Sequence, residues 1–394
     1  MKPEIFKNFF YPLSVLCGTI IGVGIFGLPY ITLKVGLPIM VLYFLILGTL
    51  VALIHYYFAE ISLRTPDLKR FPGFVEFYFG KPWAKFAFFC AILGTLGANL
   101  AYLIVGSSFL KELFQPFFDL GEYFWVLIYF LVGAIFIFYD ISLIKKIEFL
   151  GLIGFFSVLF LIFIENLKKI NLSYLFPSPD FSQIFLPYGA ILFSLWGAEL
   201  IPEVEEMLGQ KKSLLRKLVP LSILISATIY IFFIYLILGI SGLKVSQNSL
   251  SGLKEVLGES LSVSFLLIFG ILATFTSFIA LSLNLKKIFW YDLKLNKNLA
   301  FFLSSFPAIF LYFLGVKDFL SVISFVGAVM LAINGIFILG MKIKIQKSKL
   351  KNQKLKIGIL KINVEKILIF LLILILILGI FYEIFYNLLK WLNF

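Results

Sequence analysis

The segment TIIGVGIFGLPY at residues 19–30 decides the fold of this chain, because three glycines and a proline interrupt an apolar run there. Its centre, GVGIFG, matches G-x-G-x-x-G, the glycine fingerprint of dinucleotide-binding folds. That fingerprint needs a buried strand before it, a helix after it and an acidic residue about 20 positions further on. Here both flanks are apolar over a membrane-spanning length and no acidic residue follows at that distance. The sequence therefore does not predict a nucleotide site.

Composition places the whole chain in a membrane. Hydrophobic residues make up 61% of the 394 residues, charged residues only 14%, and the mean hydropathy is +1.04, whereas soluble domains carry roughly 25% charged residues. Apolar runs near 20 residues, each able to cross about 30 Å of hydrocarbon as a helix, recur along the chain. The first is too long for a signal-peptide core, so we expect it to be retained. We number the eleven predicted transmembrane helices as spans 1 to 11, at 9–33, 37–63, 83–110, 122–140, 147–165, 184–207, 216–242, 260–285, 298–316, 318–341 and 366–388.

Lysine and arginine are unevenly divided between the two sides of the predicted membrane protein. If the N-terminus is cytoplasmic, 26 of the 34 basic residues lie on the cytoplasmic side, as the positive-inside rule requires. The net charge of +13 therefore indicates contact with anionic membrane lipid and not with nucleic acid. We predict a multi-pass protein of the cell's inner membrane, with its N-terminus in the cytoplasm and its C-terminus outside.

Few residues could support catalysis. The two cysteines, Cys17 and Cys90, both lie in predicted spans, and His55 is the single histidine. No disulfide framework, zinc site, haem site or Ser-His-Asp triad is predicted from this set. We expect no enzyme and no cofactor, apart from a coupling sodium ion discussed below.

The two halves of the chain resemble each other at a shift of 175 residues, which places Pro12 on Pro187. Spans 1 and 6 both carry the pattern G-x-x-x-x-P, at 24–29 and 197–202. Five helices separate the two copies, and an odd number inverts the second copy in the membrane. Inverted repeats whose first helices are interrupted by Gly and Pro indicate a secondary transporter with its binding site at the bilayer midplane.

The predicted domain organisation follows from this repeat. A ten-helix transporter core covers 1–341, with inverted repeats at about 9–165 and 184–341. A basic cytoplasmic loop at 342–365 leads to the eleventh helix and the C-terminus at 366–394.

The glycines of span 1 predict an unwound segment at mid-membrane. Each glycine inside a helix costs about 1 kcal/mol relative to alanine and each proline about 3 kcal/mol. Unwound backbone is tolerated at membrane depth only where protein or a water-filled cavity satisfies its polar groups, and a zwitterionic ligand with a cation could also do so. The alternative is a continuous helix in which Gly18 and Gly22 form a GxxxG packing face and Pro29 a simple kink.

The segment TIIGVGIFGLPY together with LFSLWGAELIPEVEEM at 192–207 resembles the amino acid–polyamine–organocation superfamily, whose members have the LeuT-type fold. Within it the chain is similar to amino-acid permeases, including the aromatic and hydroxy amino-acid permeases, over about 9–341. The resemblance implies an all-α fold of 5+5 inverted repeats with broken helices 1 and 6, plus one peripheral helix. It also implies that the substrate carboxylate meets the backbone of span 1 and the amino group faces span 6. The implied substrate residues are Ile21, Gly22, Val23, Gly24, Asn99, Tyr102, Phe193, Ser194, Trp196, Gly197 and Glu199.

The family pattern also implies a sodium site between spans 1 and 8. Oxygen ligands of this kind suit a hard cation, although serine and threonine are also common hydrogen-bonding groups between membrane helices. A first sodium site of some members needs an asparagine where this chain has Ile25, and span 5 lacks the lysine of some proton-coupled relatives. The implied sodium ligands are Gly18, Ile21, Ala273, Thr276 and Ser277.

Ionisable and aromatic residues inside the spans are functional candidates by default. Glu199 could carry a proton, or it could hold the unwound helix by accepting N–H bonds. Trp196 could line the substrate side chain or simply pack in the interior. For His55 we expect a packed polar group and not a proton relay, and for Glu60 we expect an ion pair with Arg64.

Together with the family resemblance these patterns imply cation-coupled uptake, driven by sodium or protons, of a neutral amino acid, aromatic ones included, by alternating access. A channel or sensor on the same fold is the alternative, and a membrane-embedded enzyme is disfavoured. The predicted partners are the amino acid, the coupling ion and membrane lipid, without nucleic acid.

Overall fold

A computed structural model describes residues 9–67, 69–140, 144–352 and 364–392, and these ranges are helical without strands. Each predicted span coincides with helix, while two short helices, Phe71–Phe79 and Leu250–Leu257, connect spans. By length and composition, six of the described helices could cross a membrane, or seven if the bent halves of span 1 count as one. The number of eleven crossings thus remains a prediction. From span 1 to span 11 the helices are Tyr11–Ile20 with Leu28–Val35, Leu37–Ser62, Lys81–Phe114, Glu122–Phe138, Ile144–Asn166, Leu186–Leu195 with Ile201–Leu208, Leu215–Ser241, Leu261–Lys287, Lys297–Phe313, Phe319–Phe325 with Ala332–Asn352, and Val364–Leu392.

Span 1 is broken where its glycines predict it. The first helix ends at Ile20, Gly22 is extended with φ −115° and ψ −155°, and a 3₁₀ turn at Val23–Gly27 leads into the second helix. The two halves differ in direction by 48°. Pro29 lies in the first turn of the new helix, where its missing N–H costs no intrahelical hydrogen bond. The prediction of an unwound segment is confirmed, and the alternative of a continuous kinked helix is wrong.

Span 6 is broken in the same way. Its first helix ends at Leu195, Trp196 is extended with ψ 128°, and a short 3₁₀ turn at Ala198–Leu200 precedes the second helix. Pro202 again lies at the start of that helix. The predicted pair of broken helices is confirmed.

Span 10 contains an irregular segment that the sequence analysis did not predict. Residues Val326–Leu331 form a π-helix between two α-helical stretches. A Cβ atom on Gly327 would lie 2.8 Å from the backbone nitrogen of Phe193, and one on Gly189 would lie 2.8 Å from the carbonyl carbon of Ser324. The two glycines therefore let the backbones of spans 6 and 10 cross at very short distance.

The spans pack as two groups. Spans 1, 2, 6 and 7 pack on one another, and spans 3, 4, 5, 8 and 9 form a second group around span 8. Span 10 contacts both groups, and span 11 packs at the periphery on span 10. The break of span 1 therefore lies where the first group meets span 3 of the second.

The predicted basic loop at 342–365 begins as a helix. The second helix of span 10 continues to Asn352, beyond the predicted end of the span at 341, and residues 353–363 lie outside the described residues. At the start of this extension Lys342 is paired, at 2.5 Å from the carboxylate of Glu60 and 3.0 Å from that of Glu365. The predicted pair of Glu60 with Arg64 is also present, at 3.6 Å.

Candidate functional site between the two broken helices

The two breaks face each other across a very short distance. A Cβ atom on Gly24 would lie 3.1 Å from the Cα atom and 3.0 Å from the Cβ atom of Ser194, closer than side-chain atoms pack. Gly24 is thus needed because only a residue without a side chain lets the two backbones approach. The structure brings these two predicted site residues together.

Tyr102 reaches the break of span 1 from span 3. Its hydroxyl oxygen accepts a hydrogen bond from the backbone N–H of Val23 at 3.4 Å. A Cβ atom on Gly22 would lie 2.5 Å from the same hydroxyl. Tyr102 therefore connects the second group of spans to the unwound backbone of the first group.

Tyr230 of span 7 contacts both breaks, and the sequence analysis did not identify it. Its hydroxyl lies 2.6 Å from the carbonyl oxygen of Ile20 and 2.8 Å from that of Ser194. The side chain is fully buried. Nothing in the sequence of span 7 distinguishes this tyrosine, because its partners lie 210 and 36 residues away.

His55 of span 2 supports the break of span 6. The backbone N–H of Gly197 donates to Nε2 of His55 at 2.9 Å, so the proton of the neutral ring is on Nδ1, which donates to the Val51 carbonyl at 2.8 Å. Only 1% of the side chain is exposed. His55 is thus a packed polar group, as expected. Its partner in the unwound backbone, the N–H of Gly197, is not apparent from the sequence.

Trp196 and Glu199 form the side-chain part of this break. The indole Nε1 of Trp196 donates to the carboxylate of Glu199 at 3.1 Å, and the ring packs edge-on against His55 with centroids 4.9 Å apart. Trp196 is buried, and the role of its ring in lining the substrate stays a prediction. Glu199 is exposed, as are Glu203 and Glu206 on the same helical face. The carboxylate accepts an N–H bond from a side chain, and whether it also carries a proton remains a prediction.

Asn99, expected to face the breaks with Tyr102, makes its hydrogen bond to span 8. Its amide nitrogen donates to the hydroxyl of Ser282 in span 8 at 3.0 Å, and both residues are buried. Asn99 lies one turn before Tyr102, but the two side chains differ in direction enough to reach different neighbours. Asn99 belongs to the interface between spans 3 and 8.

The implied sodium ligands lie on spans 1 and 8, and each of these spans packs mainly against spans other than the other one. The hydroxyl of Thr276 donates to the carbonyl oxygens of Leu272 and Ala273 of its own helix, at 2.9 and 3.2 Å. Span 8 packs on spans 3 and 5, whereas the first half of span 1, with Gly18, packs on span 7 and the second half of span 6. A sodium site here would require the first half of span 1 to approach span 8. Among the described residues, no group of three or more His, Cys, Asp and Glu side chains could hold a metal ion.

The side predicted to face outward is closed over the break of span 1. The hydroxyl of Ser249, in the loop before the helix Leu250–Leu257, donates to the carbonyl oxygen of Phe26 at 2.5 Å. The Phe26 ring packs edge-on against those of Phe109 and Phe155, with centroids 4.9 and 5.7 Å away. The break of span 1 is therefore covered on this side by Ser249 and by the aromatic rings around Phe26.

Three solved structures share this fold. MhsT in complex with L-phenylalanine aligns with a TM-score of 0.64 and 14% identity, over 95% of this chain and 97% of its own. Mhp1, a nucleobase-cation-symport-1 family transporter, aligns in a closed conformation with bromovinylhydantoin bound, with a TM-score of 0.62 and 14% identity, over 84% of this chain and 76% of its own. The inward-facing conformation of Mhp1 aligns with a TM-score of 0.61 and 14% identity, over 96% of this chain and 90% of its own. At this identity the matches show the LeuT-type fold alone.

The family comparison covers almost the whole chain. The model of the tryptophan/tyrosine permease family matches residues 6–382. A search of curated proteins finds no match. The family and the fold are those of membrane transporters and not of enzymes, so the predicted resemblance is confirmed. The chain belongs to the tryptophan/tyrosine permease family.

Proposed function

We propose that this secondary transporter takes up a neutral aromatic amino acid across the cell membrane by alternating access, coupled to a cation gradient. The observation that carries the proposal is the close approach of the two breaks at Gly24 and Ser194. The second half of span 1 presents the positive end of its dipole to this point, and the first half of span 6 presents the negative end of its own. Such a pair suits the carboxylate and the ammonium group of an amino acid.

The residues of the two breaks would share this task. The backbone of Ile21, Gly22, Val23 and Gly24 would meet the carboxylate, with the Tyr102 hydroxyl beside it. The N–H groups of Ile21, Gly22 and Val23 donate to Cys17, Ile20 and Tyr102 in this structure, so they would exchange these partners for the carboxylate. Carbonyl groups near Phe193, Ser194 and Trp196 would accept from the ammonium group. The half-buried ring of Phe193 offers an apolar contact for the substrate side chain. The family description and the L-phenylalanine complex of MhsT support an aromatic side chain.

The orientation in the membrane is part of the same proposal. The N-terminus would lie in the cytoplasm and the C-terminus outside, with the lysine-rich end of span 10 next to anionic lipid.

For the coupling ion we propose sodium, held by Thr276 and Ser277 with carbonyl oxygens of Gly18, Ile21 and Ala273. The Thr276 hydroxyl donates its proton to its own helix, which leaves the lone pairs of its oxygen available to a cation. The rival is a proton carried by Glu199, which is exposed between the break and the second half of span 6.

Replacement of sodium by choline separates these two ions. At fixed membrane potential, accumulation of substrate in proteoliposomes should require sodium, and Thr276→Ala should weaken the sodium dependence at least about tenfold, because a cation ligand is lost. Thr228→Ala is the matched control, since Thr228 makes the same bond to its own helix at an exposed position of span 7. Full accumulation of substrate in choline would reject the sodium site. If accumulation in choline were then lost in Glu199→Gln, that result would support a proton carried by Glu199 as the coupling ion.

A further inference from the structure

The Tyr230 hydroxyl lies between the ends of two helices. Ile20 is the last residue of the first half of span 1, and Ser194 is the last but one residue of the first half of span 6. Their carbonyl oxygens are among those that a helix end leaves without an intrahelical partner. Both lie within hydrogen-bond distance of the Tyr230 hydroxyl, at 2.6 and 2.8 Å, and share its one proton.

The electrostatics of this arrangement make the hydroxyl necessary. Each helix C-terminus carries partial negative charge, so the two carbonyl ends repel each other when no donor lies between them. The site is buried, and the loss of the hydroxyl would remove this donor from the Ser194 carbonyl and leave the Ile20 carbonyl with only the N–H of Gly22, at 2.9 Å. The hydroxyl proton therefore keeps the two helix ends at a fixed separation.

That separation matters for the substrate, if the proposed function holds. Ile20 directly precedes the backbone N–H groups proposed for the carboxylate, and Ser194 lies in the segment proposed for the ammonium group. The distance between these two segments must match the distance between the two charged groups of the ligand. In an α-amino acid one carbon atom separates these groups, and in a β-amino acid two carbon atoms do.

We propose that Tyr230 is a positioning residue that joins the two broken helices and sets selectivity for α-amino acids over β-amino acids. It acts through the backbone of Ile20 and Ser194 and not by contact with the substrate side chain. The two breaks then move as one unit during the transport cycle.

Tyr230→Phe tests this proposal because it removes the hydroxyl and keeps the ring. We expect affinity for the preferred aromatic α-amino acid to fall about tenfold and the preference over its β-homologue to decrease. The matched control is Tyr188→Phe, a buried tyrosine whose hydroxyl donates to the Ile375 carbonyl of span 11 at 3.1 Å. Unchanged selectivity in Tyr230→Phe, or an equal change in Tyr188→Phe, would overturn the proposal.

A second measurement needs no substrate. Cys17, half-buried one turn before Ile20, and Cys90, buried in span 3, are the two cysteines of the chain. Thiol labelling of Cys17 should become several times faster in Tyr230→Phe than in Tyr188→Phe, while labelling of Cys90 stays constant. Equal rates at Cys17 would reject the joining role of Tyr230 even if no amino acid binds. Faster labelling without amino-acid binding would instead reject the proposed substrate and leave the joining of the two helices established.

Discussion

Gly24→Ala is expected to lower the affinity for the substrate roughly 5- to 150-fold while the protein still inserts into the membrane. The new methyl group would lie 3.0 Å from the Cβ atom of Ser194, so the breaks of spans 1 and 6 must separate. Overpacking of this kind costs about 1–3 kcal/mol, which is roughly 5- to 150-fold in affinity if the strain falls on the binding-competent arrangement. Binding of labelled aromatic amino acids to the purified variant measures the effect.

Two further variants make this result interpretable. Gly48→Ala in span 2 is the control, because its methyl group would lie at an ordinary 3.8 Å from Leu195. Ser194→Gly, introduced together with Gly24→Ala, removes the opposing side chain and should recover part of the affinity. Unchanged affinity in folded Gly24→Ala would contradict the placement of the substrate between the breaks.

His55→Leu is expected to lower transport about 5- to 150-fold, because the N–H group of Gly197 loses its buried acceptor, at a cost of about 1–3 kcal/mol. His55→Gln should keep most of the activity. Its side-chain oxygen can accept from Gly197 while its amide group donates toward the carbonyl of Val51. Initial rates of uptake, normalised to inserted protein, compare the two variants.

The two substitutions at His55 also distinguish support of the backbone from proton transfer. Glutamine cannot carry a proton, so a proton relay would be lost in His55→Gln as fully as in His55→Leu. Equal inactivation by both substitutions would contradict the role assigned to His55.

The sequence predicted the interruptions of the fold well because local chemistry determines them. Glycines and a following proline weaken a helix wherever they occur, so the breaks near Gly22 and Gly197 could be located without tertiary information. The limits of the unbroken spans, such as Leu215–Ser241 against a predicted 216–242, follow from apolar length in the same way.

What the sequence could not predict depends on contacts between distant residues. Tyr230 and His55 act on backbone groups 210 and 142 residues away, and neither lies in a motif. The π-helix of span 10 lies at the close crossing with Gly189, which glycine content alone does not reveal. The hydrogen bond of Asn99 depends on Ser282, which lies 183 residues away. The helix that extends beyond residue 341 carries Lys342, whose partner Glu60 lies 282 residues away in the sequence.

Accumulation of labelled amino acids in proteoliposomes tests the central claim most directly. With an imposed sodium gradient, we expect a neutral aromatic amino acid to accumulate inside above its external concentration, and an excess of unlabelled aromatic amino acid to compete. Gly24→Ala vesicles should accumulate much less of it at the same external concentration. If no amino acid of a complete panel accumulates under imposed sodium or proton gradients, while the protein is inserted and folded, the account of this chain as a cation-coupled amino-acid transporter is wrong.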